Sequence, residues 1–207
     1  MAMDMVQDLE VYPTHIVRTD CSDFLTSEDH ELMKESTDLL IKNGRYTDNE
    51  RTPNYQTETL LFLDDAPDIW KKVRESFYRA CYNYLSTVDN YCPNQEQLKF
   101  SGCNAWVYKG WKGLNQKESN PWHHHNPAFL SGVYYIQIPP DETGDKSTGG
   151  TEFTDPRCPE GQVMQNQMIA PQEYTWVIFP GWLTHRSNLV DSDIPRYVIA
   201  ANMFVKI

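Results

Sequence analysis

The chain has 207 residues, a length that suits one domain over residues 1–207, and a formal net charge of −11. Its hydrophobic fraction of 40% and aromatic fraction of 13% exclude a disordered chain. The acidic charge would repel the phosphate backbone of nucleic acid over most of the surface, so we expect no nucleic-acid partner. No stretch reaches the roughly 18 to 20 apolar residues of a membrane-spanning helix, and the five cysteines are widely spaced without a CxxC pair. We therefore expect no membrane role and a cytoplasmic location.

The first elements along the chain are an edge strand and a helix. Leu9–Val17 mixes β-branched and aromatic residues around a proline, which is typical of a strand at the edge of a sheet. Residues 27–43 form a predicted helix, because Thr26 and Asp29 have the spacing of a capping box and apolar residues recur at helical intervals. Asn43-Gly44 supplies the signal that ends this helix.

A second helix is predicted to begin near Pro67, with Asp65 as its N-terminal cap. Its apolar residues follow a 3.6-residue period and are Trp70, Val73, Phe77, Cys81, Tyr84 and Val88. This apolar stripe must be covered, and the strands later in the chain are its expected partner. Residues 1–96 therefore provide one strand and two supporting helices.

The rest of the chain, residues 97–207, is rich in predicted strands. The runs are aromatic or β-branched, are bounded by Pro, Gly, Asn or Asp, and cover Phe100–Tyr108, Leu130–Ile138, Tyr174–Phe179 and Tyr197–Val205. Two helices followed by many short strands predict an α+β fold, in which the helices brace one face of a β-sandwich. The long polar segment Gln137–Gly150 lies between core strands and suits either a lid or a solvated surface loop.

The histidines form a cluster of candidate metal ligands. Three of the six are consecutive, His123 to His125, directly before a predicted strand, and His185 ends a later segment. Side chains alternate in an extended segment, so His123 and His125 point one way while His124 and Asn126 point the other. His185 would complete three ligands on one face of a metal and leave positions open for a co-substrate and dioxygen. Imidazole suits iron, copper, nickel and zinc alike, so the residues alone leave the metal open.

Arg196 opens the final predicted strand, eleven residues after His185. Its side chain shares a strand face with Val198, Ala200 and Asn202. Arginine grips a carboxylate with two parallel hydrogen bonds. A guanidinium one strand away from a metal is what the distal carboxylate of 2-oxoglutarate would need, while the keto-acid end of that molecule chelates the ion.

Five motifs occur in a fixed order within about residues 104–204. They are His123-His124-His125-Asn126-Pro127, Ser131-Gly132-Val133-Tyr134-Tyr135, Gly149-Gly150 with Asp155-Pro156-Arg157, Trp182-Leu183-Thr184-His185, and Arg196 through Asn202. In these motifs the chain resembles the 2-oxoglutarate and iron(II)-dependent oxygenases, specifically the prolyl-hydroxylase-like branch known from bacteria and phages. The resemblance implies a double-stranded β-helix, which is a jelly-roll of the cupin-like kind, with Fe(II) and 2-oxoglutarate as cofactors.

The resemblance also implies where the site residues lie. The first metal pair would end the second strand of the β-helix, with His185 on the seventh strand and Arg196 on the eighth. Trp106, Tyr108 and Tyr135 would line the co-substrate pocket. Asn202, which shares a strand face with Arg196, is a further expected contact of the co-substrate.

One position departs from the family pattern. Most of the superfamily has an H-x-D pair, whereas this chain has His125 two residues after His123. The alternative pair, His124 and Asn126, is a poorer iron site. Either the site has three histidines or a carboxylate from elsewhere joins it, with Glu152 and Asp155 as the candidates.

The expected function is a dioxygenase that hydroxylates a peptide or small-molecule substrate. One alternative is a cupin-like metalloprotein that does not use 2-oxoglutarate, because three-histidine sites suit that chemistry. Another is a jelly-roll binding module with a degenerate site. The aromatic strands and the predicted edge at Leu9–Val17 would permit a homodimer.

Overall fold

The computed structural model describes residues 14–47, 55–59, 61–88, 99–111, 121–140, 149–155 and 166–206. Within these ranges the helices are α1 (Ser27–Lys42) and α2 (Asp68–Thr87). The strands are β1 (Val17–Asp20), β2 (Tyr46–Thr47), β3 (Tyr55–Thr57), β4 (Lys99–Gly110), β5 (Leu130–Gln137), β6 (Thr151–Thr154), β7 (Asn166–Ile169), β8 (Thr175–Pro180), β9 (His185–Ser187) and β10 (Arg196–Lys206). No helix in these ranges is both long enough and apolar enough to cross a membrane.

The strands form two antiparallel sheets. The large sheet has the order β1-β8-β5-β10-β4-β3-β2, and the small sheet has the order β7-β6-β9. A single bridge between His123 and His185 adds the chain before β5 to the free side of β9. From β4 onward, eight segments therefore pass back and forth between two facing sheets, which is the double-stranded β-helix or jelly-roll. The predicted α+β fold with a jelly-roll core is confirmed.

Side-chain alternation gives the large sheet two different faces. On β8, Trp176 and Ile178 belong to the larger apolar cluster, whereas Val177 and Phe179 belong to a second, smaller cluster. The larger cluster includes the apolar stripe of α2, so both helices cover the outer face. The smaller cluster contains Phe153 of the small sheet and fills the space between the sheets.

The two helices agree with the predicted limits within one or two residues. The Thr26 hydroxyl accepts a hydrogen bond from the Asp29 N–H, and the Asp29 carboxylate accepts one from the Thr26 N–H, so the predicted capping box is confirmed. Gly44 follows α1 with φ +71°, a left-handed conformation that favours glycine. The Asp65 cap is wrong, because Pro67 occupies the N-cap position and no side chain caps α2.

The four long strand predictions are confirmed as β4, β5, β8 and β10. The predicted edge strand is shifted, because residues 14–16 are not in a strand and β1 runs from Val17 to Asp20. Its four residues pair with Thr175–Ile178, and β1 has no neighbour on its other side in the described sheet. Residues 9–13 of that prediction, and 141–148 of the predicted lid or loop, lie outside the described residues.

Candidate metal and co-substrate site

Three imidazole rings meet between the two sheets. The backbones of His123 and His185 exchange two hydrogen bonds, of 3.0 and 2.9 Å, so their side chains leave the small sheet side by side. The ring centroids are 4.5 Å apart for His123 and His185, 5.0 Å for His125 and His185, and 5.2 Å for His123 and His125. One nitrogen of each ring lies within 4.8 Å of the others. A single metal ion fits between them.

A close backbone crossing fixes the position of His125. Its N–H donates to the Gly181 carbonyl at 2.8 Å, and the Gly181 N–H donates to the Phe129 carbonyl at 3.1 Å. A Cβ atom on Gly181 would lie 2.1 Å from the Ala128 carbonyl oxygen. Only glycine permits this approach, which ties the loop before His185 to the segment that carries His125.

Backbone carbonyls orient two of the rings. The Nδ1 atom of His123 lies 2.9 Å from the Pro121 oxygen, and that of His185 lies 2.9 Å from the Leu183 oxygen. A carbonyl can only accept, so Nδ1 carries the proton in both rings and Nε2 keeps its lone pair for a metal. His125 is instead held by stacking on the Trp106 ring, at 5.6 Å between centroids and 19° between planes.

Burial keeps these rings neutral. It lowers the pKa of His185 to about 3 and that of His125 to about 4, and it also lowers the pKa of His123. The neighbouring imidazoles lower the pKa values further, since a second positive charge so close is unfavourable. All three rings are therefore neutral near pH 7 and can donate a lone pair to a metal.

The other ligand candidates lie elsewhere. His124 and Asn126 are exposed and point away from the cluster. Glu152 binds Arg186 at 2.7 Å and accepts a hydrogen bond from Asn166 at 2.8 Å. Asp155 is not part of any group of potential ligands among the described residues, where the three histidines form the single such group. The candidate donor set is thus three neutral imidazoles, a set that Fe(II) accepts.

Arg196 lies in the same space and is 2% exposed. It donates a hydrogen bond to the Gly149 carbonyl, while its Nε has no partner. No acidic side chain forms an ion pair with it among the residues that the structure describes. Burial lowers the pKa of this guanidinium, and the neighbouring Tyr135 and Tyr108 only partly offset this effect. Within the described residues, the charge of Arg196 thus lacks the carboxylate that a buried arginine usually has.

A cavity connects the histidines with Arg196. Apolar side chains such as Val133, Phe179 and Val198 form much of its wall. Its polar lining comes from Tyr108, Ser131, Tyr135, Thr151 and Ser187. The Tyr135 hydroxyl lies 2.8 Å from the Thr151 hydroxyl, and both are buried.

Most of the predicted site residues meet in this cavity. Its lining includes the three histidines, Arg196, Tyr108 and Tyr135. Asn202 is not in the lining, and its Oδ1 accepts a hydrogen bond from Ser131 at 2.8 Å. Trp106 packs against His125 and is likewise not in the lining.

Three residues near Arg196 were not predicted as site residues. Thr151 and Ser187 line the cavity, and Gly149 provides the carbonyl that Arg196 binds. Gly149 has φ +71°, and a Cβ atom there would lie 3.0 Å from the Arg196 Cδ. The Gly149-Gly150 motif was the available signal. Its partner could not be read from the sequence because the contact spans 47 residues.

Residues 105–202 match the sequence model of a family described as "Putative 2OG-Fe(II) oxygenase". The match contains all three histidines and Arg196. Residues 105–202 therefore carry a 2OG-Fe(II) oxygenase domain, which indicates an oxygenase that depends on Fe(II) and 2-oxoglutarate. Neither the cupin-like alternative nor the binding-module alternative is favoured. No curated protein sequence matches the chain.

Solved structures share the fold at low sequence identity. A Pseudomonas putida prolyl-4-hydroxylase has a TM-score of 0.61 and 7% identity, over 94% of both chains. A Trichoplax adhaerens prolyl hydroxylase, solved with a peptide fragment of hypoxia inducible factor, has a TM-score of 0.60 and 15% identity, over 91% of this chain and 83% of that one. An alpha-ketoglutarate-dependent epimerase of nogalamycin biosynthesis has a TM-score of 0.64 and 13% identity, over 92% of this chain and 78% of that one.

Proposed function

We propose that His123, His125 and His185 hold Fe(II) in this dioxygenase, that Arg196 binds the distal carboxylate of 2-oxoglutarate, and that the reaction hydroxylates a peptide or a small molecule. The observation that carries the proposal is the unpaired buried guanidinium in the same cavity as three neutral imidazoles. Three imidazoles alone would suit several metals, and a buried guanidinium alone would suit many anions. Together they match a ligand that chelates a metal at one end and carries a carboxylate at the other.

The spacing along β10 supports this pairing. Trp106, which stacks on His125, pairs with Ala200, and Ala200 is four residues from Arg196. Four strand residues span about 13 Å. A five-carbon dicarboxylate together with an extended arginine side chain bridges such a distance, whereas a smaller keto acid would leave the guanidinium unpaired.

The remaining lining residues have supporting roles in this proposal. When bound, Fe(II) supplies the activation of dioxygen. Ser187, whose hydroxyl has no partner, and Tyr135 offer hydrogen bonds near the guanidinium. Phe179, Val133 and Val198 exclude water, which strengthens the ion pair between Arg196 and a carboxylate.

Hydroxylation is the reaction we propose, because two of the structural relatives described above are prolyl hydroxylases.

Three expectations from the sequence also remain proposals: one domain over residues 1–207, with 1–96 supporting a jelly-roll of 97–207, a cytoplasmic location, and a homodimer. The position of β1 supports a homodimer, because β1 has a neighbouring strand on one side only in the described sheet.

Succinate formation and oxygen uptake test the proposal. The protein would be purified without oxygen, loaded with Fe(II) and supplied with 2-oxoglutarate, as wild type, His185→Ala and His124→Ala. His124 is the matched control, because it is an adjacent but exposed histidine. We expect 2-oxoglutarate turnover in the wild type and His124→Ala and none in His185→Ala.

Metal binding is measured on the same samples, because turnover without the substrate is slow in some oxygenases. We expect Fe(II) to bind the wild type and His124→Ala and to bind His185→Ala more than about 100-fold more weakly. Equal Fe(II) binding by the wild type and His185→Ala would contradict the proposed ligand set.

A further inference from the structure

Unpaired polar atoms are concentrated around the cavity. Five buried side-chain atoms among the described residues have no hydrogen-bond partner. One is the Thr19 hydroxyl, and the other four are Asn104 Oδ1, Trp106 Nε1, Ser187 Oγ and Arg196 Nε. Ser187 and Arg196 are explained by the proposed binding of 2-oxoglutarate. Asn104 and Trp106 are not.

Asn104 and Trp106 lie on β4 opposite the part of β10 that follows Arg196. On the inner face of the large sheet, Trp106 pairs with Ala200 and Asn104 pairs with Asn202. Six residues, or about 20 Å, separate Asn202 from Arg196 along β10. Because Trp106 stacks on His125, the two unpaired groups begin at the metal position and extend away from the co-substrate.

The two groups have opposite hydrogen-bonding characters. The Trp106 indole N–H only donates, and its ring is 7% exposed. The Asn104 Oδ1 only accepts. The other two buried tryptophans bind serine hydroxyls at 2.9 Å, Trp70 to Ser36 and Trp176 to Ser76. An indole N–H without a partner is therefore unusual within this molecule.

The Trp106 indole borders Tyr108 at the edge of the cavity. Its ring contacts that of Tyr108, a lining residue, at 6.4 Å between centroids. Burial raises the pKa of the Tyr108 hydroxyl, and the Trp106 N–H partly offsets this effect. The two groups nevertheless do not form a hydrogen bond of ordinary length and angle. A ligand in the cavity would be the better acceptor for the indole.

We infer that Asn104 and Trp106 bind a secondary amide of the substrate, with its carbonyl accepting from the Trp106 N–H and its N–H donating to Asn104 Oδ1. This inference rests on the proposed function, because it places the substrate beside the metal that His125 would hold. Residues two apart on one strand face are about 7 Å apart, and an amide presents its acceptor and donor in opposite directions. One amide fits between them.

The neutral surroundings favour an amide over a charged group. Asn104, Asn202 and Ser131 are opposite one another on β4, β10 and β5, and none carries a charge. A carboxylate or an ammonium would lose its hydration there without an ion pair among the described residues. The substrate class is therefore a peptide or a small molecule with an amide.

N-methylacetamide and methyl acetate are matched probes, because they have similar shapes and only the amide has an N–H. Protein carrying ¹⁵N-labelled tryptophan would be loaded with Zn(II) and 2-oxoglutarate, which prevents turnover. The Trp106 indole signal is assigned by its loss in Trp106→Phe. We expect this signal to shift saturably with the amide, while methyl acetate binds about three- to tenfold more weakly. The Trp122 indole signal, from a ring that contacts Arg186, serves as the control and should not shift.

Asn104→Leu should abolish the preference for the amide over the ester, and Asn166→Leu, on β7 of the small sheet, should retain it. Asn104→Gln replaces the leucine variant if that protein does not fold, and its longer side chain should weaken the preference. Amide binding with the same affinity in wild type and Asn104 variants would overturn the inference. So would an unchanged Trp106 signal at the highest soluble amide concentration.

Calorimetry with 2-oxoglutarate on the same samples separates the two proposals. Binding of 2-oxoglutarate without a shift of Trp106 would overturn this inference alone. An absence of 2-oxoglutarate binding in the wild type would instead overturn the proposed function.

Discussion

The two faces of the large sheet have the same backbone but different side-chain chemistry. On the outer face, under the helices, most buried polar groups have partners: Trp176 binds Ser76 at 2.9 Å, and Tyr134 binds His30 at 2.8 Å, whereas the Thr19 hydroxyl has none. On the inner face, Asn104, Trp106 and Arg196 each retain an unpaired atom. A buried group without a partner costs stability, so its presence indicates a ligand-binding role. We therefore expect the outer face to stabilise the fold and the inner face to bind a ligand.

Trp176→Ala should have the largest effect on stability. The ring is fully buried and contacts Phe77 at 4.9 Å and Tyr134 at 5.1 Å between centroids. We expect a loss of about 3–5 kcal/mol in the free energy of unfolding, measured with denaturant. Leu39→Ala, at an exposed position of α1, is the control and should change it by less than about 0.5 kcal/mol. Similar losses for the two variants would mean that the outer face is not the main source of stability.

His185→Ala should weaken metal binding strongly and reduce stability only slightly. We expect the affinity for Fe(II) to fall more than about 100-fold, since removing even an outer partner of a metal ligand costs 10- to 100-fold. The metal-free variant should lose less unfolding free energy than Trp176→Ala. Metal titration and denaturant unfolding check the two parts. A variant that loses stability but retains the metal would reverse the assignment of the two faces.

Gly181→Ala should affect both stability and metal binding. The added Cβ atom would lie 2.1 Å from the Ala128 carbonyl oxygen. The backbone must move there, and His125 moves with it because its N–H binds the Gly181 carbonyl. We expect about 1–3 kcal/mol of destabilisation together with weaker metal binding. Destabilisation with unchanged metal affinity would show that the crossing does not position His125.

The smallest effect concerns the acid sensitivity of the outer face. Burial lowers the pKa of His30 to about 4, below the ordinary value of 6.5. The unfolded chain therefore takes up a proton first as the pH falls, so stability decreases between pH 6.5 and 4. His30→Gln should reduce this pH dependence of the unfolding free energy. Part should remain, because the pKa values of His125 and His185 are also lowered. An unchanged slope in His30→Gln would exclude a contribution from this residue.

Much of the fold follows from local signals. The capping box of α1, the apolar stripe of α2 and the four long strands each lie within a continuous stretch of sequence. The shorter strands β2, β3, β6, β7 and β9 were not predicted, because two to four residues contain too little alternation. The Asp65 cap was wrong because a favourable residue type does not define which residue precedes the first helical turn.

The candidate site also contains some features that the local sequence predicts and others that it does not. The pairing of His123 and His125 on one side follows from strand alternation alone. The absence of a partner on Asn104 and Trp106 does not, because it depends on which side chains other strands bring close. For the same reason, the sequence left open whether Glu152 joins the metal, and the ion pair with Arg186 on the neighbouring strand could not be foreseen.

The most direct test of the central claim is the affinity for 2-oxoglutarate, measured by calorimetry on Fe(II)-loaded protein without oxygen. Arg196→Met removes the guanidinium of the inner face, and Arg79→Met removes one from α2 on the outer side. We predict that Arg196→Met binds 2-oxoglutarate about ten- to hundredfold more weakly than wild type, while Arg79→Met is unchanged. Equal affinities for wild type and Arg196→Met would contradict the claim that the inner face of the sheet is the co-substrate site.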